Sequence, residues 1–375
     1  MAEGDQTFTI DGVPVRIQLP PSNAGASGII ISDPCFTPPK GTQRWIDCQF
    51  SQEWNTFNTT RTLLEQALAG RHQNKALNVD YWMMLGDNFY DQNGAITDVF
   101  YSSLSLEVKS KPMAMVIGNH DMWIEGGPAD ADEYDQHGNG MMQYYAMDPA
   151  ASIALNHGNF LNFSVNPDEI AQWNTSLNTA ANLIWWNQIG DTAFIGVSGA
   201  FTEQELGPHL DAACQWLATM EDEQDATKPN WLFLLGHWDK DTSQTGEQCD
   251  PCAGMATPSI YHRLRNTPGC LEFGNRFKYQ DGHTHCNYIQ EKDPTNNEAL
   301  GFMIGGAGMK GCSQYGFEYI ESDGASNLKI WYFELENNNT ASRSDVVFAC
   351  IEEYGLSNCT EHAVLWFEGG QGEKI

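Results

Sequence analysis

The chain has 375 residues, 41% of them hydrophobic and 11% aromatic, enough to bury a large α/β core as one domain or two. Its 49 acidic residues against 19 basic ones leave a formal net charge of −30, a field that repels nucleic acid and anionic membranes. No apolar run approaches the roughly 20 residues of a membrane span, so no membrane-crossing segment is expected.

The opening Met1-Ala2-Glu3-Gly4-Asp5 has neither the basic nor the apolar region of a signal peptide, which reads as a cytosolic protein or a mature form without its leader. Residues 7–19 alternate in hydrophobicity around Asp11-Gly12 and predict a β-hairpin or edge strand, giving a small N-terminal element over 1–26. The main domain, 27–336, opens with Gly28-Ile29-Ile30-Ile31-Ser32, a short buried strand that ends at Asp33. Trp54, Phe57, Leu64 and Leu68 then share one helical face that Gly70 closes. The apolar run from Tyr81 to Leu85 follows and ends in Gly86-Asp87-Asn88-Phe89-Tyr90. Strand, helix and strand make a βαβ unit that sets Asp33 and Asp87 side by side at one sheet edge.

Met113 to Ile117 is a further strand and delivers Gly118-Asn119-His120-Asp121. From 122 to about 190 the chain is rich in Gly, Asn, Asp and aromatics and reads as long loops with a few strands. The acidic patch at 130–135 lacks the Gly and terminal Glu of a calcium-binding EF-hand loop and reads as a solvated surface. Ala193 to Val197 resumes the sheet, and Thr202-Glu203-Gln204-Glu205 is a capping box ahead of a helix burying Leu210, Ala213, Cys214 and Leu217. Trp231 to Leu235 is the next strand and ends at Gly236-His237. A polar loop over 240–258 carries Cys249-Asp250-Pro251-Cys252, and then come Gly282-His283-Thr284-His285, a strand at Gly301 to Ile304 and another at Leu328 to Leu335. Residues 337–375 read as a C-terminal extension.

The ten cysteines favour disulfides over zinc, because the lone CxxC has no second pair at matching spacing. Five Asn-x-Ser/Thr sequons, at Asn58, Asn162, Asn174, Asn338 and Asn358, fit a secreted protein but are expected by chance in a chain this rich in Asn, Ser and Thr. The cysteines and acidity lean toward an extracellular or secretory protein, with a cytoplasmic one as the alternative.

Each polar cluster follows or adjoins a strand-like run, so carboxylates, a phenol, an amide and imidazoles converge at one sheet edge. Hard oxygen ligands with imidazoles are the ingredients of a two-metal hydrolytic centre. His283 and His285 alternate on what reads as an extended segment, so both side chains face one way. His72, His137, His157, His209, His262 and His362 are assigned to surface or loops.

These blocks, GDNFY, GNHD, LLGH and GHTH, resemble the calcineurin-like metallophosphoesterase family, and within it the purple acid phosphatases, nearest their tartrate-resistant branch. The family pattern runs GDxG, GDxxY, GNH(D/E), VxxH and GHxH, and four of the five blocks stand in order between Gly28 and Glu336. The resemblance implies an α/β fold, a metallophosphoesterase-like β-sandwich of two mixed sheets flanked by helices in four αββα layers. It implies ferric iron held by Asp33, Asp87, Tyr90 and His285, and a divalent iron, zinc or manganese held by Asp87, Asn119, His237 and His283. Asp87 then bridges the two metals, and His120 stabilises phosphoryl oxygens or protonates the leaving alkoxide. The implied reaction is hydrolysis of a small phosphomonoester by hydroxide generated at the two cations. A phosphodiesterase or pyrophosphatase on the same scaffold, and a metal-binding scaffold or cell-surface protein without turnover, stay open as alternatives.

Two blocks depart from the pattern. GDxG is here Ser32-Asp33-Pro34-Cys35, without either glycine, and Cys35 stands where divalent members of the superfamily place a histidine ligand, so that Tyr90 offers the missing donor. After His237 the family usually carries a second His or a small residue with Pro; this chain has Trp238-Asp239, which bears on substrate class.

Overall fold

The computed structural model describes residues 4–10, 12–36, 48, 50–70, 78–90, 95–121, 184–199, 201–220, 228–240, 254–306 and 311–370. The acidic patch at 130–135, most of the stretch read as loops, the Cys249/Cys252 pair, His72, His137 and His157 lie outside these residues.

Strands β1 (Gly4–Ile10) and β2 (Val13–Leu19) form a separate antiparallel hairpin turning at Gly12. The other twelve strands among the described residues make two six-stranded sheets. The first holds β3 (Ser27–Ile31), β4 (Tyr81–Leu85), β5 (Met113–Val116), β12 (Gln314–Ser322), β13 (Leu328–Asn337) and β14 (Val364–Gly369), in the order β14-β13-β12-β3-β4-β5. The second holds β6 (Ile184–Ile189), β7 (Thr192–Val197), β8 (Trp231–Leu235), β9 (Phe277–Asp281), β10 (Tyr288–Lys292) and β11 (Ala299–Met303), in the order β10-β11-β9-β8-β7-β6. Both are mixed. β3, β4 and β5 run parallel, as do β7, β8, β9 and β11, while the outer strands pair antiparallel.

The layering follows from the strand period of two. Ile30, Tyr81, Met83 and Leu85 point into a core shared with Phe194, Phe233 and Leu235 of the second sheet. Ile29, Ile31, Trp82 and Met84 point the other way and pack with Leu63, Leu64 and Leu68 of α1 (Thr56–Ala69). The helix ends as expected at Gly70, whose φ of 55° is costly for a residue with a Cβ. Two short helices, α2 (Ala95–Ser103) and α3 (Leu106–Lys109), follow β4 and lie against α1. On the second sheet, α4 (Glu203–Thr219) buries Leu210, Ala213, Cys214 and Leu217, and α5 (Thr257–Leu264) lies on β8 and β9. His209 is buried on α4 rather than exposed, because the apolar stripe of that helix is wide enough to include it.

Residues beyond 337 supply α6 (Ser344–Tyr354), which packs on α1 and β13, and β14, which pairs antiparallel with β13 as an edge of the first sheet. Among the described residues four disulfides join Cys35–Cys48, Cys214–Cys270, Cys286–Cys312 and Cys350–Cys359. A buried polar pair links the two sheets, the Gln280 amide of β9 donating to the Glu318 carboxyl of β12.

Candidate metal centre

Sheet register brings the ligand-bearing turns together. Ile31 pairs with Met84 and Leu85 with Val116, so the turns after β3, β4 and β5 stand in a row, and the Asp33 N–H donates to the Gly86 carbonyl at 3.2 Å. In the second sheet Leu235 pairs with Gln280, and the Gly282 N–H donates to the His237 carbonyl at 3.0 Å. The two rows face each other, and glycines allow the approach. A Cβ on Gly86, at φ 91°, would stand 2.5 Å from His237 Nδ1, and one on Gly118 would stand 2.3 Å from Asp87 Oδ1. Neither distance admits a side chain.

Two donor groups result, and they share Asp87. In the first, Tyr90 Oη donates to Asp33 Oδ1 at 3.1 Å and lies 3.1 Å from His285 Nε2, which is itself 3.3 Å from Asp33 Oδ1. Asp33 Oδ2 accepts from Ser32 Oγ at 2.7 Å and from the His283 N–H at 3.0 Å. In the second, His237 Nε2 lies 3.4 Å from Asp87 Oδ2, 3.3 Å from Asn119 Oδ1 and 3.3 Å from His283 Nδ1, with His283 Nδ1 3.1 Å from Asn119 Oδ1. The His237 Nδ1–H donates to the Leu85 carbonyl at 2.8 Å, which turns Nε2 toward the cluster. His120 belongs to neither group. Its backbone N–H donates to Asp87 Oδ1 at 2.7 Å, and its ring lies 4.9 Å from that of Tyr90.

Asp33, Asp87, Tyr90, His283 and His285 all have positive φ, between 48° and 73°. Left-handed backbone costs a residue with a Cβ about 1–3 kcal/mol, and it persists where the surroundings hold it in place. This corrects the expectation of an extended segment at His283 and His285. Each stands on its own left-handed turn after β9, and the two rings go to different donor groups.

Electrostatics describe the same crowding. Burial alone would raise the Asp33 and Asp87 carboxyls, but His237 and its neighbouring imidazoles hold both below the usual range. Burial opposes charge on His237, yet Asp87 and Asp33 push it up to about 10. Burial, then His237, lowers His283. Burial, then Asp33 and Asp87, drives the Tyr90 phenol well above its ordinary value.

These residues suit metal ions on their own chemistry. Asp33 and Asp87 are 0% and 1% exposed, and among the described residues neither forms an ion pair with Lys or Arg. Two buried carboxylates this close together, with imidazoles, a phenol and a few neutral donors around them, call for positive charge between them. The donors are hard oxygens and imidazole nitrogens, in the sets Asp33/Asp87/His285 and Asp87/His237/His283. Cys35 is absent from both because it is bonded to Cys48, and that disulfide packs against Tyr90.

Four blocks of the sequence thus marked this cluster, but not the residues that hold it. Ser32, Asn88 and Asp121 bond the ligands or their turns from behind. The available signal was that Asn88 stands between two candidate ligands and Asp121 closes GNHD.

A four-layer sandwich with buried carboxylates and imidazoles at facing strand ends is suited to hold metal ions that activate water for hydrolysis. A family model, calcineurin-like phosphoesterase, matches residues 29–286, from the strand before Asp33 to the residue after His285. The chain belongs to the calcineurin-like phosphoesterase family, whose members work through a dinuclear metal centre. Among solved structures it is similar to a purple acid phosphatase from seeds of yellow lupin (Lupinus luteus), at 15% identity and a TM-score of 0.46 over 86% of this chain. It is also similar to the sulfate thiohydrolase SoxB of Thermus thermophilus, at 12% identity and a TM-score of 0.37 over 89% of this chain. The chain covers 54% and 61% of those two chains, and neither likeness bears on its substrate. No curated protein sequence matches it.

Proposed function

We propose that the protein hydrolyses small phosphomonoesters at a centre of two cations, in the manner of the purple acid phosphatases. Asp33, Asp87, Tyr90 and His285 are assigned to ferric iron, and Asp87, Asn119, His237 and His283 to a divalent iron, zinc or manganese. The observation that carries this reading is Asp87, which lies in both donor sets and has two oxygens to divide between them. Cations bound there supply charge to offset the phosphate and acidify a water molecule enough to yield a nucleophile near neutral pH.

The chain's own residues do the rest. The His120 N–H fixes Asp87 Oδ1, and the Leu85 carbonyl holds His237 in the tautomer that presents Nε2. The His120 imidazole, outside both donor groups and beside Tyr90, is the group to bond a phosphoryl oxygen or pass a proton to the leaving alkoxide. The four disulfides support an oxidising, extracellular or secretory setting, and the exposed sequon residues Asn58, Asn338 and Asn358 suit it.

Elemental analysis combined with turnover of an aryl phosphate monoester and the matching diester tests the reading. Two metals per chain and preference for the monoester support it. Preference for the diester transfers the protein to the phosphodiesterase alternative, and absence of stoichiometric metal defeats the catalytic reading altogether.

A further inference from the structure

Asn88 sits between Asp87 and Tyr90 in sequence, yet its side chain is 0% exposed and bonded elsewhere. Its Nδ2 donates to Asp121 Oδ2 at 2.8 Å and to the Val116 carbonyl at 3.1 Å, while its backbone N–H donates to Asp121 Oδ1 at 2.8 Å. Asp121, 2% exposed, also accepts the Gly118 N–H on Oδ2 at 2.8 Å. One carboxylate therefore gathers donors from the turn after β4 and the turn after β5. The first turn carries Asp87 and Tyr90, and the second carries Asn119. The amide orientation is determined as well, because turning it over would set Asn88 Oδ1 against a carboxylate and a carbonyl.

We propose that Asn88 and Asp121 form a positioning clamp that sets the separation of these two turns, and with it the affinity of the Asn119 donor group for its cation. The proposal rests on the two-cation reading above. The clamp has a task because the disulfides lie elsewhere. Cys35–Cys48 adjoins Asp33, and Cys286–Cys312 adjoins the segment of His283 and His285, whereas no described disulfide joins the turns bearing Asp87, Asn119 or His237 to another segment. Covalent links thus brace the turns after β3 and β9, and a buried carboxylate with three N–H donors braces the turns after β4 and β5 to each other. Losing a partner that orients a ligand from behind typically weakens metal binding about 10–100-fold.

The test uses the full chain and buffered zinc or manganese. Asn88→Ala leaves Asp121 its two backbone donors and cuts only the side-chain link. Asp121→Asn is nearly isosteric but turns amide protons toward the donors. For each variant, equilibrium dialysis with elemental analysis gives the affinity of the weaker site, and thermal unfolding of metal-free protein gives the intrinsic stability. Both variants are expected to bind the divalent ion about 10–100-fold more weakly while keeping the ion at Asp33, Tyr90 and His285. Asn88→Asp alone, which sets carboxylate against carboxylate, is expected to lose most, and adding Asp121→Asn to recover part of that loss. Unchanged affinity with lowered stability of the metal-free protein would make the pair merely structural and overturn the proposal, as would absence of any recovery in the double exchange. Wild-type protein that binds no metal would instead defeat the two-cation reading, so the two failures are distinguishable.

Discussion

The phenol oxygen of Tyr90 lies 3.1 Å from Nε2 of His285, across a sequence separation of 195 residues. Each side chain comes from a different sheet, and each stands on a left-handed turn. The contact exists only because the sandwich brings the strand ends of both sheets to one edge. Tyr90→Phe removes this contact and the bond to Asp33 while keeping the buried ring. A violet absorption band is expected from wild-type protein loaded with ferric iron, and its loss from the variant, with the divalent site retained by metal analysis. A band that survives the substitution would exclude Tyr90 as the phenolate donor.

Asp87→Asn should affect both donor groups at once, because the residue belongs to each. Metal content is expected to fall from two ions toward none, and turnover by more than the roughly 100-fold upper range for partners that only orient ligands. Retention of one ion at full affinity would show that Asp87 serves a single metal.

His120→Asn keeps the backbone N–H that donates to Asp87. Metal content should therefore be unchanged, and kcat for an aryl monoester should fall about 100- to 10,000-fold, the range for losing a positioned acid or base. A loss of metal in parallel with activity would assign the imidazole to the metal cage instead.

The disulfide Cys286–Cys312 follows His285 directly, and the Cys312 N–H donates to the His285 carbonyl at 3.1 Å. The paired substitution Cys286→Ser with Cys312→Ser is expected to weaken the ion shared by Asp33, Tyr90 and His285 more than the ion at Asn119. Titration of the two sites by metal-buffered dialysis measures the difference, and equal weakening would count against it.

Glu318 offers a pH test away from the metals. Burial raises its carboxyl well above the usual value, and Gln280 Oε1 and Glu318 Oε2 have no hydrogen-bond partner among the described residues. A protonated Glu318 has the O–H that Gln280 Oε1 needs. Above the unfolded value of about 4.5 the folded protein holds a proton that the unfolded chain has released, so this group's contribution to stability falls as pH rises. Glu318→Gln, which cannot ionise, should match wild type near pH 4 and gain in melting temperature relative to it as pH increases. A constant difference across that window would show that Glu318 does not titrate there.

Local signals in the chain were enough for its class. Buried strands written as GIII, YWMML and WLFLL, each running into a polar turn, specify where the sheet stops and which groups the edge presents, since strand propensity and turn chemistry act over a few residues. β9, β10, β12, α5, α6 and β14 are not among the elements predicted from the sequence. Lys278, Gln280 and Glu318 interrupt their strands' apolar runs because each is satisfied or offset by a partner on another element, a pairing no local window contains. The same limit applies at the site. Its seven ligand candidates were legible one by one, but their division into two donor groups sharing Asp87 depends on sheet register and on how the two sheets face. The left-handed turns at His283 and His285, and the joining of Asn88 to Asp121, depend on it too. Residue chemistry set the reaction class, whereas the partners of each ligand were chosen by packing between strands far apart in the chain.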